Sequence, residues 1–336
     1  MRVAVLGGAG FMGSNFVRHL VGGYGDAEVL VYDKLTYAGR LENLKEVLDR
    51  VTFVRGDVGN EELLAHVLRE FEPDVVVNFA AETHVDRSIN EPAPFVRTNV
   101  LGVFTVLETI TKLGSSLYVH ISTDEVYGDL AGTSDYADES WPLNPSSPYS
   151  ASKAAGDMLV KAYGRTYGLR YRIVRPCNNY GPYQHPEKLI PRTIVRLLRG
   201  KPATVYGDGD QVRDWIYVED FCRALATVVD KGRDFEVYNI CANQFATVRE
   251  VVEKVVRMMG RNPSWDIVRV RGRPGEDRRY AMRCGKLGEL GWRPLVSLDE
   301  GLRRTVDWYL GNEWWWKPIV DETYVLSDEP WRVPSK

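Results

Sequence analysis

The chain of 336 residues has no uncharged apolar run approaching the ~18–20 residues a helix needs to cross a bilayer, so a helical membrane span is not expected. It has no excess of charge of either sign. With 43 Lys+Arg against 46 Asp+Glu the formal net charge is −3, which gives no electrostatic reason to expect a nucleic-acid partner. Cysteine is scarce: Cys177, Cys222, Cys241 and Cys284 are widely separated, with no CxxC and no Cys/His cluster. That spacing argues against a zinc site or a disulfide framework and for reduced thiols in a cytoplasmic protein; no metal is expected. The N-terminal MRVAVLGGAG reads as a strand entering glycines and lacks the layout of a signal peptide. No internal repeat or low-complexity linker occurs. What remains, 44% hydrophobic and 26% charged residues, is the composition of an ordinary globular protein long enough for about two domains.

The first half alternates short Val/Ile-rich runs with helical periodicity. Strands are predicted at Val3–Leu6, Val29–Tyr32, Thr52–Arg55, Val75–Phe79, Leu117–Ser122 and Tyr171–Arg175, and helices at Phe11–Val21, Glu61–Glu70, Val96–Leu113 and Tyr149–Tyr167. Compact apolar strands separated by helices make βαβ units, in which both faces of a parallel sheet are covered. The expected fold is a Rossmann-type doubly wound parallel α/β sheet spanning residues 1–180. A smaller C-terminal α/β lobe, 181–336, binds substrate, and some of its segments could return to the first domain. Helices are predicted there at Leu189–Arg199, Val218–Val229, Val248–Met259 and Leu298–Leu310. The tail with Trp314, Trp315 and Trp316 is expected to pack against the body or a partner subunit.

Gly7-Gly8-Ala9-Gly10-Phe11-Met12-Gly13 joins the first strand to the first helix. Small residues let the backbone approach a pyrophosphate, and the helix N-terminus offers free N–H groups and a favourable dipole. The second strand ends in Asp33, about twenty residues past the last glycine. A carboxylate there accepts hydrogen bonds from ribose hydroxyls and repels a 2′-phosphate, which favours NAD over NADP; the adjacent Lys34 works against that preference. Asp57 and Val58, after the third strand, flank the adenine or merely form a turn. Ala80 and Ala81 place small residues where the cofactor would pass.

Ser122-Thr123-Asp124-Glu125-Val126-Tyr127-Gly128 ends the fifth strand at the carboxyl edge of the sheet, where open α/β sheets bind ligands. Tyr149 and Lys153 stand at i and i+4 on one helical face. A phenol with an ordinary pKa near ~10 is a poor base until a neighbouring cation stabilises the phenolate. The pattern points to oxidation of a hydroxyl by hydride transfer to NAD, with Tyr149 taking the proton. A plain dehydrogenase does not need Asp124 and Glu125. Two adjacent acids in differing environments supply one acid and one base, which suits elimination of water beside a newly formed ketone.

Taken together, GGAGFMGSN (7–15), YDKLTYAG (32–39), FAAETHVDRSI (79–89), STDEVYG (122–128), YSASK (149–153), NNYGPYQHPEKLIP (178–191), VRDWIYVED (212–220) and RPGEDRRYAM (273–282) resemble the extended short-chain dehydrogenase/reductase superfamily. Within it they resemble the dTDP-glucose 4,6-dehydratases, through at least Asn312. The resemblance implies a nucleotide-sugar substrate, dTDP-glucose, and an NAD held tightly and regenerated in each turnover. It implies that Tyr149 acts at the C4 hydroxyl, with Lys153 lowering its pKa and holding the nicotinamide ribose. Thr123 would bond the C4 oxygen, Glu125 take the C5 proton and Asp124 protonate the leaving C6 oxygen. His84, Asn178, Glu187, Lys188, Leu189, Arg213 and Arg273 match the substrate-holding segments, the two Arg suiting a diphosphate. A homodimer is implied, paired through the helices at Val96–Leu113 and Tyr149–Tyr167; a stripe of Val100, Val103, Phe104 and Leu107 fits that pairing or an internal core.

Several assignments stay open. Asp86 and Arg87 read as a surface ion pair or as ligands, and His84 as a ligand or a loop support. Asp214 and Trp215 read as support and packing, and Cys177 as structural. Asp277, Arg278 and Arg279 read as an interface network or as ligands. Glu276 stands where the family has His beside the diphosphate, and Val248 where it often has Asn. Both changes fall on the nucleotide half of the site, so UDP-glucose competes with dTDP-glucose as the substrate. Two rivals remain: a 4-epimerase, which shares the oxidation but needs no acid–base pair at 124–125, and an inactive NAD-sensing regulator on the same fold, against which the joint presence of Thr123, Asp124, Glu125, Tyr149 and Lys153 argues.

Overall fold

The structure is a computed structural model that describes residues 1–25, 27–114, 116–320 and 323–333. The first half follows the predicted alternation: β1 (Arg2–Leu6), α1 (Phe11–Gly23), β2 (Glu28–Asp33), β3 (Thr52–Arg55), α2 (Glu61–Phe71), β4 (Val75–Asn78), α3 (Val85–Asn90), α4 (Ala93–Val96), α5 (Val103–Leu113), β5 (Leu117–Ile121), α6 (Pro148–Tyr167) and β6 (Tyr171–Pro176). The predicted helix 96–113 is interrupted by a π-helical segment, Arg97–Gly102, between α4 and α5. Local signals set the ends. The Asn60 side chain accepts from the Leu63 amide at the start of α2, and α6 opens on a Ser147–Ser150 capping box with Pro148 at its first turn. Gly168, at φ 72°, closes α6 in the left-handed region.

The second half adds β7 (Asn178–Tyr180), α7 (Leu189–Leu198), β8 (Ala203–Tyr206), β9 (Val212–Tyr217), α8 (Val218–Lys231), β10 (Glu236–Ile240), β11 (Phe245–Thr247), α9 (Val248–Met258), α10 (Pro263–Asp266), β12 (Ile267–Val270), α11 (Gly285–Glu289), α12 (Leu298–Gly311) and α13 (Glu313–Trp316). β10 pairs in parallel with β6 and completes a seven-stranded parallel sheet in the order β10-β6-β5-β4-β1-β2-β3. The first unit is therefore not confined to residues 1–180. The strand order reverses between β1 and β4, which opens a crevice over their carboxyl ends.

Helices cover both faces of the sheet. Phe16 and Leu20 of α1 pack with Phe221 and Leu225 of α8 on one face; Leu64, Leu68, Val106, Ile110 and Val160 of α2, α5 and α6 fill the other. The remaining C-terminal elements build their own core from Ile194, Val251, Leu302, Val306, Tyr309, Trp315 and Trp316. β11-β9-β7 and β12-β8 form its two small sheets. Trp315 and Trp316 are buried in this body, and the indole of Trp315 donates to Asn43 at 2.7 Å, whereas Trp314 is exposed.

The expectation of four reduced thiols is corrected. Cys241, directly after β10, and Cys284, which caps α11, are joined by a disulfide; only Cys177 and Cys222 are free thiols, and both are buried. The two partners lie 43 residues apart in sequence with no motif around them. They meet because α11 packs against β10, a tertiary contact that cysteine spacing does not encode. Among the described residues no helix is long and apolar enough to cross a membrane, and no group of His, Cys, Asp or Glu is arranged to hold a metal ion.

Candidate active site

The crevice is a cleft of about 290 Å³ that runs from the glycine turn, past the ends of β1, β4 and β5, to Lys188. At one end the turn is compact. A Cβ on Gly7 would lie 2.5 Å from the Ala80 nitrogen, and one on Gly13 would lie 2.4 Å from the Gly7 carbonyl oxygen. α1 begins at Gly10 without a side-chain cap. Asp33 is buried; its carboxylate accepts from the amides of Ala9 (2.9 Å) and Leu35 (2.8 Å). Lys34 is bound to Asp57 at 2.7 Å, so the cation that weakened the case for NAD is already paired with a carboxylate. Phe11, Met12, Val58, Ala80 and Ala81 complete this wall. An uncapped helix start, a fixed carboxylate and a neutralised lysine form a donor and acceptor set that fits NAD.

Further along lie Thr123, Asp124, Glu125, Tyr149 and Lys153. β5 delivers the first three to the sheet edge, where Thr123 caps a 3-10 turn by accepting from the Glu125 amide at 3.3 Å. Its hydroxyl donates to Asp124 at 3.2 Å. Burial, then the charge of Glu125, pushes the Asp124 carboxyl up to about 8, against the pull of Arg213. Burial also raises Glu125, but Arg273, Arg213 and Lys188 all pull it back. The pair is thus held in unequal surroundings, as an acid and a base require.

Tyr149 and Lys153 share one face of α6, and both are buried. Burial and the Glu125 charge push the Tyr149 phenol far above its usual range, opposed by a hydrogen bond with Thr123. The Lys153 ammonium donates to the Ile121 carbonyl at 2.6 Å, and burial brings it down to about 8. The Lys153 ammonium is thus anchored to the β5 backbone, one helical turn from Tyr149.

The other candidate residues divide. Asn178, Glu187 and Lys188 line the cleft, and the Lys188 ammonium donates to the Thr83 carbonyl at 2.8 Å. Leu189 does not line it; it opens α7 and packs into the C-terminal core. His84 is likewise behind the wall, capping α3 through the Asp86 amide and meeting the Glu187 carbonyl at 3.2 Å. Arg213 donates to the Asp277 carbonyl at 2.7 Å and lies over the Tyr280 ring at 4.1 Å. Arg273 donates to Asp86 at 2.8 Å, and neither arginine is among the residues that line the cleft.

The surface ion pair between Asp86 and Arg87 does not form. Asp86 is buried against Arg273 and the Tyr206 hydroxyl, while Arg87 pairs with buried Glu187 at 2.8 Å. Glu187 is held down at about 2: burial opposes this, but His84, His185, Arg87 and Lys188 together prevail. Glu276 is paired too, 3.5 Å from the Arg273 Nε and accepting from Gln211 at 3.1 Å. Val248 starts α9 and packs with the small apolar cluster of β8 and α9. Asp214 is a support: its carboxylate accepts from the amides of Ala242, Asn243 and Gln244. Trp215 is buried packing, and Cys177 is a buried thiol on the cleft wall. Arg278 pairs with Asp208, and Arg279 clamps the 130–135 loop through carbonyl oxygens. Sequence reasoning missed Tyr280, whose hydroxyl donates to Asp277 at 2.6 Å and lies 3.5 Å from Glu125, although it stands inside the RPGEDRRYAM segment. It also missed Tyr206, for which β8 carries no local signal.

A parallel sheet with a dinucleotide-type turn, and a Tyr/Lys helix facing two unequal acids, define an enzyme that oxidises and dehydrates its substrate in one cleft. A family model described as GDP-mannose 4,6 dehydratase matches residues 4–305, and the chain belongs to that dehydratase family. It is 48% identical to the dTDP-glucose 4,6-dehydratase of Mycobacterium tuberculosis over 333 residues, 98% of this chain and 99% of the relative. Among solved structures, the dTDP-glucose 4,6-dehydratase of Streptomyces venezuelae with NAD bound superposes with a TM-score of 0.92 at 48% identity, covering 95% of this chain and all of that one. The UDP-glucose 4-epimerase of Thermus thermophilus in complex with NAD is more distant, with a TM-score of 0.86 at 36% identity over 93% of this chain and all of that one.

Proposed function

We infer that this protein is an NAD-dependent hydro-lyase that converts dTDP-glucose to its 4-keto-6-deoxy derivative and water. The observation that carries this reading is the adjacent pair Asp124 and Glu125, buried at the end of β5 beside Tyr149, with one acid raised to about 8 and the other facing three cations. The relatives named for dTDP-glucose dehydration, and the neighbour crystallised with NAD, support the substrate and the cofactor.

Tyr149 takes the proton of the C4 hydroxyl while Thr123 hydrogen-bonds the C4 oxygen. NAD, when bound, supplies the acceptor for the C4 hydride, the donor that later returns it to C6, and a positive charge beside Tyr149. The C4 ketone acidifies the C5–H bond, and Glu125 takes that proton. Asp124 protonates the C6 oxygen, the C6–O bond breaks and water leaves. Hydride then reaches C6 and a proton returns to C5, so the cofactor ends each cycle as it began. Gly7, Gly10, Gly13 and Asp33 hold NAD in the first unit. Lys188, Arg213 and Arg273 supply the cations for the diphosphate from the C-terminal half, and Asn178 lines the cleft with Lys188.

A homodimer through α5 and α6 belongs to the same proposal. Val103 and Leu107 of the predicted stripe are internal core, but Phe104 is 44% exposed, together with Leu101 (56%), Met158 (56%) and Tyr167 (60%). Light scattering giving the mass of one chain at micromolar concentration would remove the dimer. A cytoplasmic location fits an enzyme that uses NAD and a nucleotide sugar. It requires the Cys241–Cys284 bond to be shielded from cellular reductants, and Cys241 is fully buried.

The deciding experiment is incubation with dTDP-glucose, without added NAD, followed by mass spectrometry. Loss of one water is the expected result. An epimerised sugar of unchanged mass would overturn the roles given to Asp124 and Glu125, and turnover restricted to UDP-glucose would overturn the choice of base.

A further inference from the structure

The stretch 323–333 lies beyond the family match, yet two buried cations of α7 are committed to it. Arg192 donates to the carbonyls of Val325 (3.0 Å) and Ser327, and Arg196 to the Leu326 carbonyl (2.7 Å) and the Asp328 carboxylate (2.7 Å). At its far end the Val333 carbonyl accepts from Asn90, the last residue of α3, at 3.0 Å. Two aromatic side chains point inward from this strap, Tyr324 and Trp331, and both are buried.

Tyr324 reaches the cleft wall through Arg87 and Glu187, whereas Trp331 packs on β8 outside the cleft lining. Tyr324 covers the Arg87 guanidinium at 4.3 Å; Tyr37 lies 4.1 Å from the same guanidinium, and Arg87 in turn holds Glu187. Trp331 meets the Tyr206 ring edge-on, with centroids 4.6 Å apart at 76°. The Tyr206 hydroxyl accepts from Arg192 at 2.8 Å and donates to Asp86 at 3.1 Å; the other Asp86 oxygen accepts from Arg273 at 2.8 Å. A continuous chain of contacts therefore runs from the tail to the arginine assigned to the diphosphate: Trp331, Tyr206, Asp86, Arg273.

We propose that residues 323–333 are a strap in which Trp331 is a positioning residue for nucleotide-sugar binding, acting on Arg273 through Tyr206 and Asp86. The proposal rests on the assignment of Arg273 to the diphosphate. An arginine side chain free in solution loses rotamer freedom when it grips an anion, so a site that fixes it beforehand binds that anion more tightly. Asp86 fixes Arg273 only if its own carboxylate is fixed, which the Tyr206 hydroxyl does. The Tyr206 ring is held in turn by the Trp331 edge contact, a geometry that the ring quadrupoles favour beyond the area it buries. None of these four side chains is the acid, base or proton acceptor of the reaction, and Arg273, which also pulls on Glu125, keeps its charge in every strap variant, so the strap acts chiefly on binding.

The test uses the full chain with its bound cofactor. Trp331→Ala is expected to raise KM for dTDP-glucose, and the Kd for dTDP measured by calorimetry, about tenfold. kcat stays within twofold and NAD content does not change. Trp331→Phe, which keeps an edge-on ring, stays within about threefold of the parent. Tyr206→Phe keeps the ring but not the hydroxyl and reproduces the tenfold loss; the Trp331→Ala/Tyr206→Phe double variant is little worse than either, because both break one chain. An unchanged dTDP affinity in Trp331→Ala, additive losses in the double variant, or loss of kcat and NAD together with KM would overturn the proposal. Arg273→Lys separates the two layers of argument. If it leaves dTDP affinity intact, the diphosphate assignment fails and the strap's role fails with it. If it weakens dTDP while Trp331→Ala does not, only the strap is refuted.

Discussion

Replacing Asp124 with Asn isolates the acid step. Asp124 is buried beside Glu125, and burial first, then that neighbour's charge, raises its carboxyl to about 8. At pH 7 about nine-tenths of the molecules carry the proton that must reach the C6 oxygen; at pH 9 about one-tenth do. Wild-type kcat should therefore fall roughly tenfold across that interval. Asparagine has nearly the same volume, and its amide oxygen can keep the Thr123 contact of 3.2 Å, but it has no proton to give. Loss of a general acid costs about 10²–10⁴ in rate, or ~3–5 kcal/mol of barrier. We expect that loss in kcat, with KM changing less than about threefold, because the nucleotide is held elsewhere. Oxidation at C4 still proceeds in the variant, so the near-ultraviolet absorbance of reduced nicotinamide should build up when dTDP-glucose is added. The same raised pKa fixes the sign of the stability effect. The folded state prefers the neutral acid, so its contribution is present below the unfolded value near ~4 and is lost as pH rises toward 8. Asp124→Asn should accordingly melt higher than the parent at pH 9 and show little or no gain at pH 4. Alkali-developed keto-sugar absorbance across pH 6–9 is the assay. A wild-type profile flat through pH 9, or a variant kcat within threefold of wild type, would refute the assignment.

Gly13→Ala should lower stability by about 1–3 kcal/mol and deplete bound NAD, because its Cβ would meet the Gly7 carbonyl at 2.4 Å and backbone there has no room to yield; thermal melting and cofactor content of the purified protein read both effects. Asp214→Ala leaves the amides of Ala242, Asn243 and Gln244 without their acceptor, three buried or half-buried donors at about 1–3 kcal/mol for each that stays unpaired, so a loss of several kcal/mol in denaturant unfolding is expected. Reducing Cys241–Cys284 reopens a loop of 43 residues, for which chain entropy sets a cost of about 4 kcal/mol; a melting temperature unmoved by reductant, with thiol titration confirming four free cysteines, would contradict that figure.

The parts of this molecule legible in the sequence are those encoded by neighbours along the chain. The strand–glycine–helix turn at 6–13, the carboxylate ending β2, the acid pair after β5 and the Tyr/Lys spacing on α6 are all local patterns, and each of these elements lies within one or two residues of where its periodicity put it. Where residues meet only through the fold, local reading stopped. Cys241 and Cys284 carry no motif and are joined because α11 returns to β10. Asp86 and Arg87 are adjacent in sequence and opposite in charge, which suggests a pair. On a short helix, however, adjacent side chains diverge by about 100°, so each finds its partner far away, Arg273 for one and Glu187 for the other.

The substrate half of the cleft was harder to read than the cofactor half for the same reason. NAD-type sites are built from one continuous βαβ unit, so their residues keep a fixed spacing. The surroundings of Arg273 are assembled from α3, α7, β8, the 273–280 segment and the tail, pieces joined across 187 residues by the Asp86–Arg273 hydrogen bond and across 243 by that of Asn90 to the Val333 carbonyl. Only the fold brings them together, and each piece contributes a residue that would look ordinary alone: a tyrosine in a short strand, a tryptophan near the end of the chain. A change at any one of them reaches the same arginine. Differences in nucleotide affinity between this chain and its relatives should therefore track the strap and the Tyr206–Asp86 link, whereas differences in the reaction itself should track residues 123–125. Grafting a relative's tail in place of residues 323–333 separates the two: dTDP affinity should move while the pH dependence of kcat, set by Asp124, should not.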